Sequence, residues 1–244
     1  MKQLVCTTPH QFEYIDAEMP VANAGETLLK IERIGICGTD LHAYEGTQPF
    51  FNYPAVLGHE LAATIVETNA DGFEIGEQVT IVPYFNCGTC IACREGKENC
   101  CTSIRVFGVH INGGIREYVT VPDSALVKSN GLGLDELALV EPLAIGAHGV
   151  RRAQVKPGEY VLVVGAGPIG LGTMEFARIA GAQVIAMDIN DARLDFCKAQ
   201  LGVHHTVNPL TQNALDQLKS ITNNDMPTVI IDATGSLQAI QNAF

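Results

Sequence analysis

The 244-residue sequence predicts an α/β protein in two parts, a β-rich first domain followed by a second domain with a doubly wound parallel sheet. Three observations support this prediction. Before about residue 145, short runs rich in β-branched residues alternate with Gly, Pro, Asn and Asp. After about residue 147, apolar runs alternate with helical patterns, as in parallel βαβ units. A composition of 47% hydrophobic and 17% charged residues, with a mean hydropathy of +0.16, provides enough apolar surface for a folded core.

In the first domain, three short strands are predicted from apolar and β-branched runs at residues 26–34, 61–68 and 78–83. Residues 111–121 are predicted to form a hairpin that turns at Asn112-Gly113-Gly114. Lys156-Pro157-Gly158 follows the point where short strand patterns give way to alternating strand and helix patterns. We therefore place the domains at residues 1–146 and 147–244.

In the second domain, an apolar run at Tyr160–Val164 suits a central parallel strand. A glycine-rich turn and a helix to residue 180 follow, then strands at 183–188, 204–207 and 228–231, with a helix at Asp191–Leu201 between the first two of these. A complete six-stranded dinucleotide fold needs two further strands, whereas only the start of a helix, 237–244, follows here. The sequence therefore predicts an incomplete nucleotide-binding domain.

The charge balance limits the partners of the chain. With 15 Lys+Arg and 27 Asp+Glu, the formal net charge is −12 and the pI is about 4.9. A surface that binds nucleic acid or anionic lipid usually has the opposite excess, so neither partner is expected. The sequence shows neither an N-terminal apolar leader nor an 18-residue apolar run, which favours a cytoplasmic location with reduced thiols.

Four of the eight cysteines are spaced like the ligands of a structural metal ion. Two, two and seven residues separate them, and thiolates at such spacings converge on a tetrahedral Zn²⁺: Cys87, Cys90, Cys93 and Cys101. Free or disulfide-bonded cysteines in a loop are the alternative. The adjacent Cys100 is an alternative fourth ligand, and Cys6 and Cys197 are interpreted as buried, inert thiols.

A second group of metal-ligating residue types lies earlier in the chain. Cys37 falls in a Gly-Ile-Cys-Gly-Thr-Asp-Leu-His segment, and His59 and Glu60 precede a predicted strand. A thiolate, an imidazole and a carboxylate would form a three-ligand zinc site with one open position. The alternative is that Cys37 and His59 are ordinary packed core residues.

A glycine-rich turn follows the strand Tyr160–Val164 and begins a helix, which is the context required for dinucleotide binding. The G-x-G-x-x-G residues and their neighbours are Gly165, Gly167, Pro168, Ile169 and Gly170. Asp188 ends the second strand, where a carboxylate binds ribose hydroxyls and repels a 2′-phosphate, so NAD is favoured over NADP. The alternatives are a glycine turn of an unrelated α/β protein and a helix-capping aspartate.

These motifs together resemble the zinc-containing medium-chain dehydrogenase/reductases, which include alcohol, sorbitol and threonine dehydrogenases. The resemblance rests on GICGTDLH at 35–42, GHE at 58–60, the four-cysteine segment and Glu141-Pro142. The stretches QPFFNYPAVLGHE at 48–60 and NCCTSIRVFGVHINGG at 99–114 look most similar to sugar-acid dehydrogenases of the L-galactonate 5-dehydrogenase type. The implied fold is a GroES-like domain followed by a Rossmann domain.

The resemblance implies two zinc ions per chain. Cys37 and His59 match the first two catalytic zinc ligands. Glu60 matches a carboxylate that is a ligand in some members or states, and Glu141 replaces a ligating cysteine of the familiar alcohol dehydrogenases. Whether Glu60 or Glu141 completes the site is left open at this stage.

The resemblance also implies a route for the substrate proton. Thr39 and His42 match the hydroxyl and imidazole through which that proton leaves, and Asp40 matches a residue that orients the zinc-bound histidine. For His42, a surface histidine without function is the alternative. The remaining histidines are interpreted as structural or solvent-facing: His10, His110, His148, His204 and His205.

The function implied is NAD-dependent oxidation of a secondary alcohol to a ketone. The substrate would be a small polyhydroxylated molecule, namely a polyol, a sugar acid or a hydroxy amino acid, and the whole protein would form a homodimer or homotetramer. A zinc-free quinone-type reductase of the same superfamily and a non-catalytic, zinc-stapled binding module are the alternatives. Candidate substrate contacts are Tyr44, Gln48, Phe50, Phe51, Arg105 and Asn112.

Overall fold

A computed structural model describes residues 1–49 and 51–243, and Phe50 and Phe244 lie outside the described residues. The chain forms two compact units, Met1–Glu141 and Pro142–Phe244. Helix α4 (Val140–Ala153) spans this division, and the boundary expected after residue 146 falls within the same helix. The two units are described separately below.

The first unit consists mainly of strands. In chain order these strands are β1 (Lys2–Thr8), β2 (Gln11–Asp16), β3 (Glu26–Gly35), β4 (Glu60–Glu67), β5 (Gln78–Ile81), β6 (Tyr84–Phe85), β7 (Arg105–Val106), β8 (Tyr118–Pro122) and β9 (Leu126–Lys128). Its short helices are α1 (Gly38–Glu45), α2 (Ile91–Arg94) and α3 (Leu134–Ala138). The three strands predicted from sequence correspond to β3, β4 and β5, with ends that differ by one or two residues.

An antiparallel sheet in the order β8-β3-β4-β5-β9 is the framework of this unit. Its apolar face packs into a core that includes Leu29, Leu61, Ile65 and Phe107, each at most 2% exposed. Burying an aliphatic side chain contributes about 1.5–3 kcal/mol. The register of β3 and β4 places Gly35 opposite Glu60, so the sheet determines where the segments that carry the metal-ligand candidates begin and end.

The hairpin predicted at residues 111–121 is wrong. Only β8 of this stretch is a strand, and it pairs with β3. The backbone N–H of Gly113 donates to the carbonyl oxygen of Val56 at 2.7 Å, and that of Gly114 donates to Gly58 at 2.8 Å. A Cβ at position 113 would collide with the Gly58 carbonyl, so the glycines permit close packing against a distant segment rather than a local turn.

The second unit is an α/β domain with the topology predicted. Its elements are β10 (Tyr160–Val164), α5 (Pro168–Ile179), β11 (Gln183–Met187), α6 (Asp191–Leu201), β12 (His205–Val207), α7 (Ala214–Ile221), β13 (Val229–Asp232) and α8 (Leu237–Asn242). The strands are parallel in the order β12-β11-β10-β13, which is the 3-2-1-4 order of a doubly wound nucleotide-binding fold. Apolar side chains cover both faces of this sheet, as the continuous apolar runs predict.

The helices differ in how readily the sequence reveals them. Helix α5 was predicted from the glycine turn that follows a strand, α6 from apolar residues at helical spacing, and the start of α8 from residues 237–244. Helices α1, α2, α3, α4 and α7 were not predicted. In the part of the chain that the structure describes, no helix combines the length and the apolar character that crossing a membrane requires.

Candidate metal and cofactor sites

The fold brings together the three residues that the sequence proposed as a second metal site. Cys37 immediately precedes α1, His59 precedes β4, and Glu60 is the first residue of that strand. Potential ligand atoms of Cys37, His59 and Glu60 all lie within 4.8 Å of one another. Their side chains therefore converge although 21 residues of sequence separate Cys37 from His59.

Asp40 joins the two segments that carry these ligand candidates. Its Oδ2 atom accepts the backbone N–H of Cys37 at 2.9 Å, and its Oδ1 atom accepts the backbone N–H of Gly58 at 3.1 Å. The Asp40 side chain is buried, and among the described residues no hydrogen bond joins it to the imidazole of His59. Asp40 thus positions the backbone on both sides of the site.

Gly35 provides the space that Glu60 occupies. The two residues face each other at the end of the β3–β4 pair, and a Cβ at position 35 would lie 2.9 Å from the Glu60 Cβ and collide with its carboxylate. The absence of a side chain at Gly35 therefore allows Glu60 to turn toward Cys37.

The electrostatics of the site favour a cation. Burial disfavours the charged form of His59, but a hydrogen bond with Cys37 and the charges of Asp40, Cys37 and Glu141 raise its pKa to about 9. Burial is the main cause of a raised pKa at Glu60 and at Glu141, and neighbouring carboxylates add to it. Within residues 1–49 and 51–243, no Lys or Arg forms an ion pair with these carboxylates.

These features fit a divalent metal ion. Nδ1 of His59 is buried and has no hydrogen-bond partner in the described part of the chain. A buried polar atom without a partner is costly, and so is a buried excess of negative charge. A thiolate, an imidazole and a carboxylate are zinc ligands, and three of them leave one position open.

Glu141 lies beside this group but not within it. Its charge acts on both His59 and Glu60, yet it is not among the residues whose ligand atoms converge. Instead its Oε1 atom accepts a hydrogen bond from the hydroxyl of Tyr84 at 3.2 Å. Sequence reasoning missed Tyr84, because no motif marks it and its partner is 57 residues away.

The residues proposed for proton transfer lie on α1. Thr39 and His42 are three residues apart, so both lie on one side of this helix. The His42 side chain is 63% exposed, and its Nδ1 atom is 3.4 Å from both the Thr47 hydroxyl and the Glu45 carboxylate. Across the described residues, no hydrogen bond joins Thr39 to His42.

Several of the proposed substrate contacts have structural partners. The Tyr44 hydroxyl donates to the carbonyl of His10, and Asn112 accepts the backbone N–H of Val56. Phe51 is buried in a small apolar cluster. Gln48 and Arg105 have no assigned role, and Phe50 lies outside the described residues.

The four cysteines at 87–101 form a second convergent group. Potential ligand atoms of Cys87, Cys90, Cys93 and Cys101 lie within 4.8 Å of one another. The sulfur of Cys93 is 3.4 Å from that of Cys90 and 3.9 Å from that of Cys87. Four thiolates at tetrahedral zinc lie about 3.8 Å apart, so this spacing suits a shared metal ion. Cys100 is exposed and is not part of the group.

Backbone N–H groups favour the thiolate form of two cysteines of this lobe, Cys87 and Cys90. The backbone N–H of Cys90 donates to the sulfur of Cys87 at 3.3 Å, and bonds from Thr89 and Cys90 lower the pKa of Cys87 to about 7. Backbone bonds from Cys93 and Thr102 lower the pKa of Cys90 to about 5. Thiolates are the form in which cysteine binds metal.

The glycine turn of the second unit has the geometry that a pyrophosphate requires. Gly165 has φ of 101°, a conformation that favours glycine, and a Cβ at Gly170 would collide with the Gly165 carbonyl. Gly167 directly precedes α5, and a Cβ there would enter open space. Backbone N–H groups at this helix N-terminus are therefore accessible to an anion.

Asp188 lies at the end of β11 beside this turn. Its Oδ2 atom accepts the backbone N–H of Ala166 at 2.7 Å, and its Oδ1 atom accepts that of Asn190 at 2.8 Å. The adjacent cavity has a volume of about 370 Å³ and is lined by Ala166, Gly167, Pro168, Leu171, Asn190, Ala192, Arg193 and Phe196. The turn, the carboxylate and the cavity together fit the adenosine-pyrophosphate part of a dinucleotide.

Comparison with known proteins identifies the class. Residues 23–131 match the alcohol dehydrogenase GroES-like domain, and residues 168–244 match the zinc-binding dehydrogenase domain. The chain is 43% identical to L-galactonate-5-dehydrogenase of Escherichia coli K12, covering 99% of this chain and 72% of that protein. The chain therefore belongs to the zinc-containing medium-chain dehydrogenase/reductase family, as its motifs predicted.

Two solved structures of this fold contain a nicotinamide cofactor. An alcohol dehydrogenase from E. coli CFT073 complexed with NADH is 34% identical, with a TM-score of 0.90 over 100% of this chain and 72% of that one. A structure from Sinorhizobium meliloti 1021 bound to NADP is 30% identical, with a TM-score of 0.89 over 98% of this chain and 71% of that one. The fold thus accommodates either nucleotide.

Proposed function

We propose that this protein is a zinc- and NAD-dependent dehydrogenase that oxidises a secondary alcohol of a sugar acid or related polyol to a ketone. The observation that carries the proposal is the convergence of Cys37, His59 and Glu60. A zinc-free reductase of the superfamily does not require these residues together, and neither does a zinc-stapled binding module. The L-galactonate-5-dehydrogenase relative supports a sugar acid as the substrate class.

The chain's own side chains would hold the metal and orient the reacting alcohol. Cys37, His59 and Glu60 are the proposed ligands, and Asp40 keeps the two ligand segments in place through the backbone of Cys37 and Gly58. Bound zinc supplies a Lewis acid that makes a hydroxyl proton easier to remove. A ligand set that includes a carboxylate is polar enough to suit a substrate with several hydroxyl groups.

The proton of the alcohol would leave through Thr39 and His42. Both residues lie on α1, and the exposed imidazole of His42 can exchange protons with solvent. For each turnover one hydride passes to the nicotinamide and one proton reaches water, giving a ketone and NADH. The redox chemistry belongs to the cofactor, and the protein positions the reactants and sets the electrostatic environment around them.

NAD is the proposed nucleotide because of Asp188. Gly165, Gly167 and Gly170 would bind the pyrophosphate at the start of α5, together with Pro168 and Ile169. The negative charge of Asp188 disfavours a 2′-phosphate at the adenosine ribose. Arg193, whose Nη1 atom lies 3.8 Å from Asp188, already faces this carboxylate. The nucleotide preference is therefore expected to be for NAD.

The test is NAD and NADP reduction, followed at 340 nm, over a panel of aldonates including L-galactonate, hexitols and threonine. We expect aldonate-dependent reduction of NAD, little reduction of NADP, loss of activity with dipicolinate and its recovery with zinc. Elemental analysis should give two zinc ions per chain. Activity undiminished by the chelator, with at most one zinc ion, would favour the zinc-free reductase. Absence of NAD reduction with every substrate, and of NADH binding by fluorescence, would favour the binding module.

A further inference from the structure

The hydrogen bond between Tyr84 and Glu141 is the feature of the metal site that no motif explains. Glu141 is buried, at 8% exposure, and Tyr84 is the side chain that donates to it among the described residues. A buried carboxylate with one neutral donor keeps most of its capacity to accept hydrogen bonds or bind a cation. The hydrogen bond from Tyr84 therefore restricts the positions that the Glu141 carboxylate can take.

Tyr84 is well placed to act on the site from its edge. It lies in β6, where it pairs with Val106 of β7, so its backbone is fixed by a short antiparallel ladder. The residue is 41% exposed, yet burial of its hydroxyl and the nearby charges of Glu141 and Cys37 raise the pKa of the phenol. The hydroxyl donates a hydrogen bond to Oε1 of Glu141 at 3.2 Å, which is the contact through which Tyr84 acts on the site.

We propose that Tyr84 is a positioning residue that holds Glu141 outside the ligand set of Cys37, His59 and Glu60, so that one coordination position stays open. The inference rests on the proposed function for the use of that position by substrate. Two carboxylates, from Glu60 and Glu141, compete for the same cation. The register of β4 directs Glu60 inward, and the phenol retains Glu141.

The proposal explains why the two glutamates differ in the structure. Glu60 converges with Cys37 and His59, whereas Glu141 lies outside that group and its charge acts on His59 and Glu60. Removing the Tyr84 hydroxyl takes away the neutral donor of a buried carboxylate. The strongest attraction left to Glu141 is then the metal ion, and a fourth protein ligand would close the open position.

The test replaces the metal at this site with Co²⁺ and records the visible spectrum, which reports coordination number. Tyr84→Phe keeps the ring and removes the hydroxyl. Tyr118→Phe is the matched control, because Tyr118 lies in β8 of the same unit and its hydroxyl has no hydrogen-bond partner in the described part of the chain. We expect Y84F to change the intensity and position of the cobalt bands, and Y118F to match the wild type.

Two further variants show whether a spectral change in Y84F comes from coordination by Glu141 or from a misfolded site. Glu141→Gln alone should leave the cobalt spectrum unchanged, because Glu141 is not a ligand when Tyr84 is present. The double variant Y84F/E141Q should restore the wild-type spectrum, because an amide is a far weaker ligand than a carboxylate. In kinetics, Y84F should lower kcat about tenfold or more with a smaller change in the KM for NAD.

The outcomes separate this proposal from the proposed function. A Y84F spectrum identical to that of Y118F overturns the role of Tyr84, even if the enzyme reduces NAD. A spectrum that changes for E141Q alone also overturns it, since Glu141 would then be a ligand already. A spectral change in Y84F that Y84F/E141Q reverses supports the role of Tyr84, even if no substrate of the panel is oxidised.

Discussion

At the scale of single residues, the absence of a side chain at Gly35 determines the direction of a metal-ligand candidate. Gly35 faces Glu60 across the β3–β4 ladder, and the carboxylate occupies the volume that a Cβ would need. The Gly-Ile-Cys-Gly motif is therefore more than a flexible loop, because its first glycine acts on a residue 25 positions away. Its second glycine, Gly38, has nothing within 4 Å of an added Cβ.

This difference predicts the effects of two matched substitutions. Gly35→Ala should displace the Glu60 carboxylate and lower zinc affinity at the Cys37 site about 10- to 100-fold, the range found when groups that position metal ligands are altered. Gly38→Ala, three residues along the chain at the start of α1, should leave that affinity within twofold. Competition with a chromophoric chelator measures both affinities. Equal affinities in the two variants would show that Glu60 does not contribute to metal binding as proposed.

At the scale of elements, the four-cysteine lobe shows how neighbouring cysteines take different roles. Cys101 is buried, and its sulfur accepts the backbone N–H of Cys87 at 3.3 Å. Cys100 is exposed, and within the described residues its sulfur accepts the side-chain amide of Asn99 at 3.6 Å and no other donor. The sequence predicted Cys101 as the fourth ligand with Cys100 as the alternative, and the structure brings Cys101 to the other three thiols.

We therefore expect Cys101→Ser and Cys100→Ser to behave differently. C101S should lose about one zinc ion per chain and open residues 87–101 to proteolysis, because structural zinc sites contribute directly to folding free energy. C100S should retain zinc and resist proteolysis like the wild type. Elemental analysis and limited proteolysis measure both effects. Zinc loss in C100S but not in C101S would reverse the assignment of the fourth ligand.

Elements and sites were predictable from sequence where their determinants are local. The parallel strands, the glycine turn and the cysteine spacings carry their signals within a few residues, and the structure reproduces them. The hairpin predicted at 111–121 was wrong because Gly113 and Gly114 bond to the distant segment at Val56 and Gly58 instead of forming a local turn. Likewise, the contacts of Tyr84 and Gly35 depend on strands that meet only in the folded chain. No pattern within either segment indicates them.

At the scale of the whole molecule, each unit has a core of its own, and a different type of ligand is proposed for each. The proposed zinc ligands Cys37, His59 and Glu60 and the cysteine lobe belong to the first unit, and the glycine turn and Asp188 belong to the second. The net charge of −12 repels anions at long range. The proposed anionic cofactor and sugar acid would therefore need local donors, such as the N-terminus of α5 or a bound cation.

Because the proposed metal ligands and the proposed cofactor site lie in different units, we expect metal removal and cofactor binding to change hydrogen exchange in different units. In hydrogen exchange followed by mass spectrometry, dipicolinate should speed the exchange of amides near Cys37, His59 and the cysteine lobe without affecting β10–β12. NADH at 100 times its Kd should slow exchange at the glycine turn and α6, by up to about 100-fold where exchange requires unfolding of the unit.

A pair of aspartate variants makes the cofactor half of this prediction specific. Asp188→Asn removes the buried charge beside the turn and should abolish most of the NADH protection while leaving the response to dipicolinate unchanged. Asp195→Asn removes an exposed charge on α6, where Asp195 pairs with Lys198 at 3.5 Å, and should behave as the wild type. NADH protection that is equal in both variants would place the nucleotide elsewhere than at the Asp188 turn. Protection of the cysteine lobe by NADH alone would contradict the assignment of the two ligand types to separate units.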